Sequence, residues 1–277
     1  MAAIDSILSE ARRGGARDVT YVVPSDEEAR RYGSWAASTL RGGADAGPPL
    51  AGFVRQAVPG RSDLVAITEV PTQRRGAGAI IARVGPARPL LIEAPHTFFD
   101  TGTLPIAVDA FEALQARALL VNTVHRYNLG RGGPPGDDDT GGSPSDVAHA
   151  PVSMFLAAHT AMLEIEPTLT TIQMHGFGDK TLTGVDMVLS PSRTDLPVAP
   201  IAERMRTALA PFVIKAYPAE VSKLGALTNI EAAACQAKSA RFLHIEMSKA
   251  LRDRLGNTPE LAAKFAEALR QVAPGGP

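Results

Sequence analysis

Four side chains that can bind a metal or transfer a proton lie at the ends of three apolar, strand-like segments. They are His96, Asp100, His175 and Glu246. Imidazole and carboxylate groups suit a borderline cation such as zinc. Two histidines and one carboxylate fill three positions of a tetrahedral zinc and leave one for water, while a further carboxylate can serve as a base.

The segments before these residues predict strands whose carboxyl ends share one edge of a sheet. The apolar run at 89–92 is stopped by Pro95, and the runs at 170–174 and 241–245 have strand-like composition. In an open α/β sheet, ligands bind at the edge formed by the carboxyl ends of parallel strands. We therefore expect the four side chains to reach one pocket from distant positions in the sequence.

Strand-like and helix-like segments alternate along most of the chain. Early strands are predicted at 19–23, 52–58, 64–70 and 79–84, and their close spacing suggests an antiparallel part of the sheet. Further on, helices alternate with strands and are predicted at 104–115, 147–163, 201–209, 230–238 and 259–272. The pattern predicts an α/β fold, a three-layer αβα sandwich with a mixed, largely parallel central sheet.

Composition narrows the function classes. The 277 residues, 45% hydrophobic and 21% charged, suffice for one large domain over 1–277, and the net charge of -1 gives no sign of a nucleic-acid partner. Cys235, the single cysteine, lies among alanines and is expected to be buried in a helix. No segment resembles a signal peptide or a membrane span, so we expect a cytoplasmic protein with no membrane partner.

A loop over 128–145 is rich in Gly, Pro and Asp and cannot form a packed core. It follows a strand that ends at the same sheet edge as His96. The plain interpretation is a surface excursion, and the functional alternative is a lid over the substrate.

Several residues near that edge are candidates for binding substrate. Arg126, beside His125, follows a predicted strand, and its guanidinium suits a substrate carboxylate. Asn122 and Tyr127 could assist, and His149 opens the helix predicted at 147–163. The expected substrate is a small molecule or peptide that carries a carboxylate. The two remaining histidines, His159 and His244, are predicted to be structural.

Three short segments resemble one family of enzymes. Pro95-His96 followed by Asp100-Thr101-Gly102-Thr103 resembles the His-Gly-Gly-x-x-Glu-x-Gly-Thr segment of zinc-dependent poly-γ-glutamate hydrolases, with one residue fewer and Asp in place of Glu. The segment at 245–252 resembles their Leu-Glu-Leu-Ser-x-x-Leu-Arg, and the one at 173–176 falls where their second histidine ligand is expected.

The resemblance, which extends to N-formylglutamate amidohydrolases, implies a zinc carboxypeptidase-like fold and hydrolysis of an amide bond next to a glutamyl group. It implies His96, Asp100 and His175 as zinc ligands and Glu246 as the catalytic carboxylate. Thr97-Phe98-Phe99 replaces the family's Gly-Gly pair, which implies a bulkier loop and a different substrate. Because Asp is shorter than Glu, Glu93 is an alternative ligand.

The leading hypothesis is a zinc-dependent hydrolase that cleaves a peptide, γ-glutamyl or N-acyl amino acid amide, with a metal-activated water and Glu246 as general base. The alternative is a catalytically degenerate domain that binds a metal or a peptide on the same scaffold. A serine or cysteine hydrolase is disfavoured, because the chain has no Gly-x-Ser-x-Gly motif and Cys235 has no obvious site.

Overall fold

The computed structural model describes residues 2–45, 47–130, 142–178 and 180–273, which fold around a nine-stranded sheet. In chain order the strands are β1 (Phe53–Val58), β2 (Arg61–Glu69), β3 (Ala79–Arg83), β4 (Arg88–Ala94), β5 (Ala116–Val121), β6 (Thr170–Phe177), β7 (Met187–Ser190), β8 (Ile214–Ala216) and β9 (Arg241–Ser248). Their order across the sheet is β1-β2-β3-β5-β4-β6-β9-β7-β8.

Parallel pairing is concentrated at the centre of the sheet. β5, β4, β6 and β9 lie side by side and run in the same direction, so their carboxyl ends meet at one edge. β1, β2 and β3 form the predicted antiparallel part, and β7 pairs antiparallel with β9. Every residue of β3 is buried, and so is all of β4 except Pro89, as expected for strands covered on both faces.

The described ranges contain eight α-helices in two layers, one on each face of the sheet. They are α1 (Ala2–Ala11), α2 (Asp26–Gly42), α3 (Thr103–Ala113), α4 (Met154–Ile165), α5 (Val198–Ala208), α6 (Ile230–Ala237), α7 (Lys249–Asn257) and α8 (Pro259–Leu269). α2, α4 and α6 share one hydrophobic core with the sheet, and the other five pack into the core on the opposite face. The predicted three-layer αβα sandwich with a mixed sheet is confirmed.

Side-chain caps begin several of these helices. Ser25 and Glu28 form a reciprocal capping box at α2, and Ser153, Asn229 and Ser248 each accept a hydrogen bond from the first turn of α4, α6 and α7. Such side chains satisfy backbone N–H groups that have no partner within the helix.

Two predicted elements differ from the structure. Residues 19–23 form no strand, because the segment meets no sheet neighbour and Val22 and Val23 stay exposed ahead of Pro24. The helix predicted at 147–163 begins only at Met154, because Pro151 disfavours helical backbone before it and Ser153 provides the cap. His149 is therefore not on a helix N-terminus.

Two further features of the structure were not predicted. The sequence pattern predicted neither α1 nor α2. The helix predicted at 104–115 begins at Thr103, and the cap position belongs to Gly102 at φ 93°. Of the 128–145 loop, residues 131–141 lie outside the described part of the chain.

None of the helices in the described ranges is both long enough and apolar enough to cross a membrane.

We predict that Gly33→Ala destabilises the protein by about 1–3 kcal/mol, because a Cβ there would lie 2.4 Å from the backbone oxygen of Ala157 on α4. Gly256 is the matched control, since it is also helical but no atom would lie within 4 Å of its Cβ. Gly256→Ala should stabilise the protein by about 0.5–1 kcal/mol. Urea unfolding of both variants measures this, and equal effects would show that α2 and α4 are not in close contact at Gly33.

Candidate active site

The four residues proposed for chemistry lie together at the carboxyl edge of the parallel strands. His96 and Asp100 follow β4, whereas His175 lies within β6 and Glu246 within β9. His175 and Glu246 are direct partners in the parallel register of β6 and β9. His96, Asp100 and His175 are buried, and Glu246 is nearly so.

Three nitrogen and oxygen atoms of these residues face one another across a small gap. The Nδ1 atoms of His96 and His175 lie 3.1 Å apart, and each lies 3.4 Å from Oδ2 of Asp100. Ligands around a tetrahedral zinc with bonds of about 2.1 Å are separated by roughly 3.4 Å. The spacing therefore matches one face of a zinc coordination tetrahedron.

Asp146 holds the other nitrogen of His96. Its Oδ1 lies 2.8 Å from Nε2 of His96, and Arg126 donates to its Oδ2 through Nε at 2.9 Å and through Nη2. A carboxylate can only accept, so Nε2 of His96 carries a hydrogen, and in the neutral ring Nδ1 is left to bind a metal.

The two histidines of the cluster have different pKa values because their electrostatic surroundings differ. Burial lowers the pKa of His96, but the Asp146 and Asp100 carboxylates together outweigh this and raise the pKa to about 8. Burial dominates at His175 and lowers its pKa to about 4. Although burial alone raises the pKa of Asp100, the imidazole rings of His96 and His175 beside its carboxylate hold that pKa well below its usual range.

A tight turn brings Asp100 back to His96. The backbone N–H groups of Phe99 and Asp100 both donate to the carbonyl of His96, at 2.9 and 2.7 Å. Arg252 supports the turn from below, since its Nε donates to the carbonyl of Thr101 at 2.8 Å. Asp100 can therefore reach the cluster although its side chain is one methylene shorter than Glu.

The remainder of the loop is anchored from the outside. Arg12, just after α1, donates from Nε to Oγ1 of Thr97 and from Nη2 to its carbonyl, both at 3.1 Å, and lies 4.3 Å over the ring of Phe98. Asn122 donates to the carbonyl of Pro95 at 2.9 Å. The residues that replace the family's Gly-Gly pair are thus held by the N-terminal segment.

Glu246 and His244 form the side of the site opposite the loop. Nε2 of His244 lies 3.8 Å from Oε1 of Glu246, and the His244 ring lies 4.6 Å from that of His175. Burial, and next the Asp100 carboxylate, raise the pKa of Glu246 to about 8. A cation bound nearby would favour the ionised form of Glu246 again.

A cavity of about 490 Å³ opens onto the cluster. His96, His175, His244 and Glu246 line its floor, and the segment 222–229 forms a wall. The cluster is therefore reached from a space large enough for a small molecule or a short peptide segment.

The proposed substrate-binding residues occupy different positions. Arg126 and His149 line the cavity, with His149 Nδ1 at 3.2 Å from Oδ1 of Asp146. The Nε and Nη2 edge of Arg126 is bound to Asp146, whereas its Nη1 lies 3.4 Å from Nδ1 of His96. Asn122 is buried and bonded to the loop, and Tyr127 stacks edge-on against Phe99. Neither of these two lines the cavity.

Two residues of the site were missed from the sequence. Asp146 lies in a segment without regular structure, where nothing in the pattern distinguishes it from a solvated acid. His244 was expected to be structural, yet strand alternation with Glu246 was a signal that both face the same side. Glu93, the alternative ligand, instead pairs with His159 at 2.8 Å inside the helix layer, and Cys235 is buried as expected.

Comparison with solved structures finds proteins of similar fold at low identity. A bacteriophage poly-γ-glutamate hydrolase shows 15% identity over 71% of this chain and 88% of its own, with a TM-score of 0.46. An N-formylglutamate amidohydrolase from Ralstonia eutropha JMP134 shows 14% identity over 68% and 93%, with a TM-score of 0.43. A putative carboxypeptidase from Burkholderia mallei shows 11% identity over 91% and 68%, with a TM-score of 0.45.

The first two bear the names of the families that the sequence motifs resemble. No protein-family model matches the sequence, and no curated protein matches it.

We predict that Arg12→Ala lowers the free energy of unfolding by about 1–3 kcal/mol, because it removes two charged hydrogen bonds and the contact with Phe98. Arg13→Ala is the matched control, since that neighbouring side chain is exposed and pairs with Glu10, three residues earlier. It should change the free energy by no more than about 0.5 kcal/mol. Denaturant unfolding compares the two, and an equal loss would mean that Arg12 does not anchor the loop.

Proposed function

We propose that the protein is a zinc-dependent hydrolase of an amide bond in a peptide, γ-glutamyl or N-acyl amino acid substrate. The observation that carries this proposal is the triangle formed by Nδ1 of His96, Nδ1 of His175 and Oδ2 of Asp100, with edges of 3.1, 3.4 and 3.4 Å.

The chemistry of these donors fits a zinc ion. Oδ2 of Asp100 is buried and accepts no regular hydrogen bond in the described structure, although a buried carboxylate oxygen is costly to leave unpaired. A cation between the three atoms would satisfy that oxygen and use both imidazole lone pairs. Zinc bound there would supply Lewis acidity that polarises the scissile carbonyl and activates a water molecule.

Glu246 is proposed as the general base. Its carboxylate faces the same cavity as His175 but is not part of the triangle. With His175 and His244 it forms a second group whose atoms lie close enough to hold a metal, and we assign the metal to the triangle. In its ionised form Glu246 would take a proton from the attacking water and return it to the leaving nitrogen. His244, two residues earlier on the same strand face, lies beside it.

Arg126 is proposed to bind the substrate next to the ligands. Asp146 holds the guanidinium by its Nε and Nη2 edge, which leaves Nη1 directed toward His96. From there Nη1 can donate to the oxygen of the polarised carbonyl or to a neighbouring carboxylate. His149 lines the same side of the cavity, whereas Asn122 and Tyr127 support the surroundings.

Lys223 is a second cation at the cavity. It is exposed in the wall segment and has no ion-pair partner among the described residues. The charge of Arg126 is largely offset by Asp146, so Lys223 is the cation better placed to attract an acidic substrate. This supports a carboxylate-bearing substrate, as the sequence predicted.

The second candidate is a degenerate domain that binds a metal or peptide without turnover. It would use the same cavity and the same triangle. Glu246 distinguishes the two, because only a hydrolase needs a carboxylate at that position.

We predict that Glu246→Gln retains one zinc per chain but lowers the hydrolysis rate by roughly 10² or more, because the amide keeps the shape and cannot accept the proton. A panel of γ-glutamyl and N-acyl amino acid amides supplies the substrate, and plasma emission spectrometry supplies the metal content. Glu267→Gln, at an exposed position on α8, is the control. Normal turnover in zinc-loaded Glu246→Gln would exclude Glu246 as the general base. A wild-type protein that binds zinc but hydrolyses none of the amides would favour the degenerate binding domain.

For a carboxylate-bearing substrate, we predict that Lys223→Ala raises KM roughly two- to fivefold with little change in kcat, because the ion pair would be partly exposed. KM for an uncharged amide should stay unchanged. Lys264→Ala is the matched control, because Lys264 is exposed on α8, on the face of the sheet opposite α2, α4 and α6. A rise in KM that is equal for both substrates would exclude Lys223 as the carboxylate contact.

A further inference from the structure

A second group of polar side chains lies beneath the metal ligands, between the sheet and helices α4 and α6. Its members are buried and take no part in the proposed reaction. They are Glu93, His159, Gln173, Asn229 and Glu231. Burying this many polar groups is costly unless each one has a defined partner, so the pattern of donors and acceptors within the group carries information.

The pattern starts from a backbone group that can act only as a donor. The N–H of Ala232, in the first turn of α6, donates to Oδ1 of Asn229 at 2.9 Å. Because Oδ1 faces this N–H, the amide nitrogen of Asn229 must face away from it. Nδ2 of Asn229 then donates to Oε1 of Gln173 at 2.6 Å.

Gln173 is held in one orientation from both sides. Its Oε1 accepts from Asn229, while its Nε2 donates to Oε2 of Glu93 at 2.9 Å and to Oε2 of Glu231 at 3.2 Å. A reversed amide would place its oxygen against the Glu93 carboxylate and its nitrogen against the Asn229 nitrogen. The hydrogen-bond partners on both sides therefore require the same orientation of the Gln173 side-chain amide.

The same Gln173 oxygen meets a metal ligand. Nε2 of His175 lies 2.7 Å from Oε1 of Gln173. Because that oxygen has no hydrogen to give, Nε2 of His175 must carry one. In the neutral ring the lone pair then belongs to Nδ1, the atom 3.1 Å from Nδ1 of His96 and 3.4 Å from Asp100.

We propose that Asn229 and Gln173 are positioning residues that fix His175 in its Nε2–H tautomer, so that its Nδ1 is presented to the metal. The donor chain runs from the backbone of α6 through Asn229 and Gln173 to His175. The link to metal binding rests on the proposed zinc site. The two histidines are thus oriented by different devices, an acidic partner behind His96 and a neutral amide behind His175.

The tautomer can be read directly in the wild-type protein. Long-range ¹H–¹⁵N correlation of ¹⁵N-histidine-labelled protein at pH 7.5 distinguishes a protonated ring nitrogen from an unprotonated one. We expect His175 to show Nε2–H in the metal-free protein, and the signal of its Nδ1 to shift when zinc is added. An Nδ1–H tautomer in the metal-free protein would overturn the proposal.

Asn229→Asp separates the donor chain from helix capping. Aspartate caps a helix as well as asparagine does, so the bond from Ala232 is retained, but it offers Gln173 an acceptor in place of a donor. No orientation of the Gln173 amide then satisfies all its neighbours. We expect the zinc Kd to rise about 10- to 100-fold, as for other supports of metal ligands. Gln173→Leu, which removes the acceptor for His175, should show a similar loss.

Ala233→Gly is the matched control, because it weakens α6 at an exposed position without touching the chain of bonds. Its zinc Kd should change less than threefold. An unchanged Kd in Asn229→Asp and Gln173→Leu, or an equal rise in Ala233→Gly, would overturn the positioning role. A wild type that binds no zinc would remove the proposed function, and the tautomer spectrum alone would then decide this inference.

Discussion

In-register parallel pairing of β4, β6 and β9 is the constraint on which the site depends. The pairing aligns Glu93 with Gln173 and His175 with Glu246, and the side chains of a strand alternate between its faces. A slip of one residue would move His175 to the opposite face of the sheet. The same register therefore positions the proposed metal ligand His175, the proposed base Glu246 and the Gln173 side chain beneath them.

Burial of so many ionisable groups is stable only because each has a partner. Asp146 is paired with Arg126 and His96, and Glu93 is paired with His159 and Gln173. Removing one partner from such a pair leaves an uncompensated buried charge, which costs far more than the pair contributes. Two buried carboxylate oxygens without a hydrogen-bond partner in the described ranges lie where a ligand would bind, Oδ2 of Asp100 and Oε2 of Glu246. Unpaired atoms at the metal triangle and the cavity are what a binding site requires.

Much of this site could be predicted because it lies on regular elements. Apolar runs that end in His or Glu indicated strand ends, and parallel pairing then required His96, Asp100, His175 and Glu246 to lie close together. Asp146 could not be found in this way, because its position depends on the path of a segment without helical or strand periodicity. Gln173 lay within a predicted strand, but its role depends on Asn229 and Glu231, which reach it only through tertiary packing.

The N-terminal region shows the same limit. α1 and α2 have no place in an alternating strand and helix pattern, and the capping box at Ser25 was the local signal that would have revealed α2. The contact between Arg12 and the loop at Thr97 joins residues 85 positions apart, so no local pattern encodes it. The loop at Thr97-Phe98-Phe99 is bulkier than the Gly-Gly pair of the segment that it resembles, and this contact holds the loop in place.

The most direct test of the zinc site is an anomalous difference map from a crystal of the zinc-loaded protein, measured on both sides of the zinc absorption edge. The geometry predicts one strong peak about 2.0–2.2 Å from Nδ1 of His96, Nδ1 of His175 and Oδ2 of Asp100. A peak bound instead between Asp146 and His149, or no peak at the triangle in a protein that contains stoichiometric zinc, would contradict it.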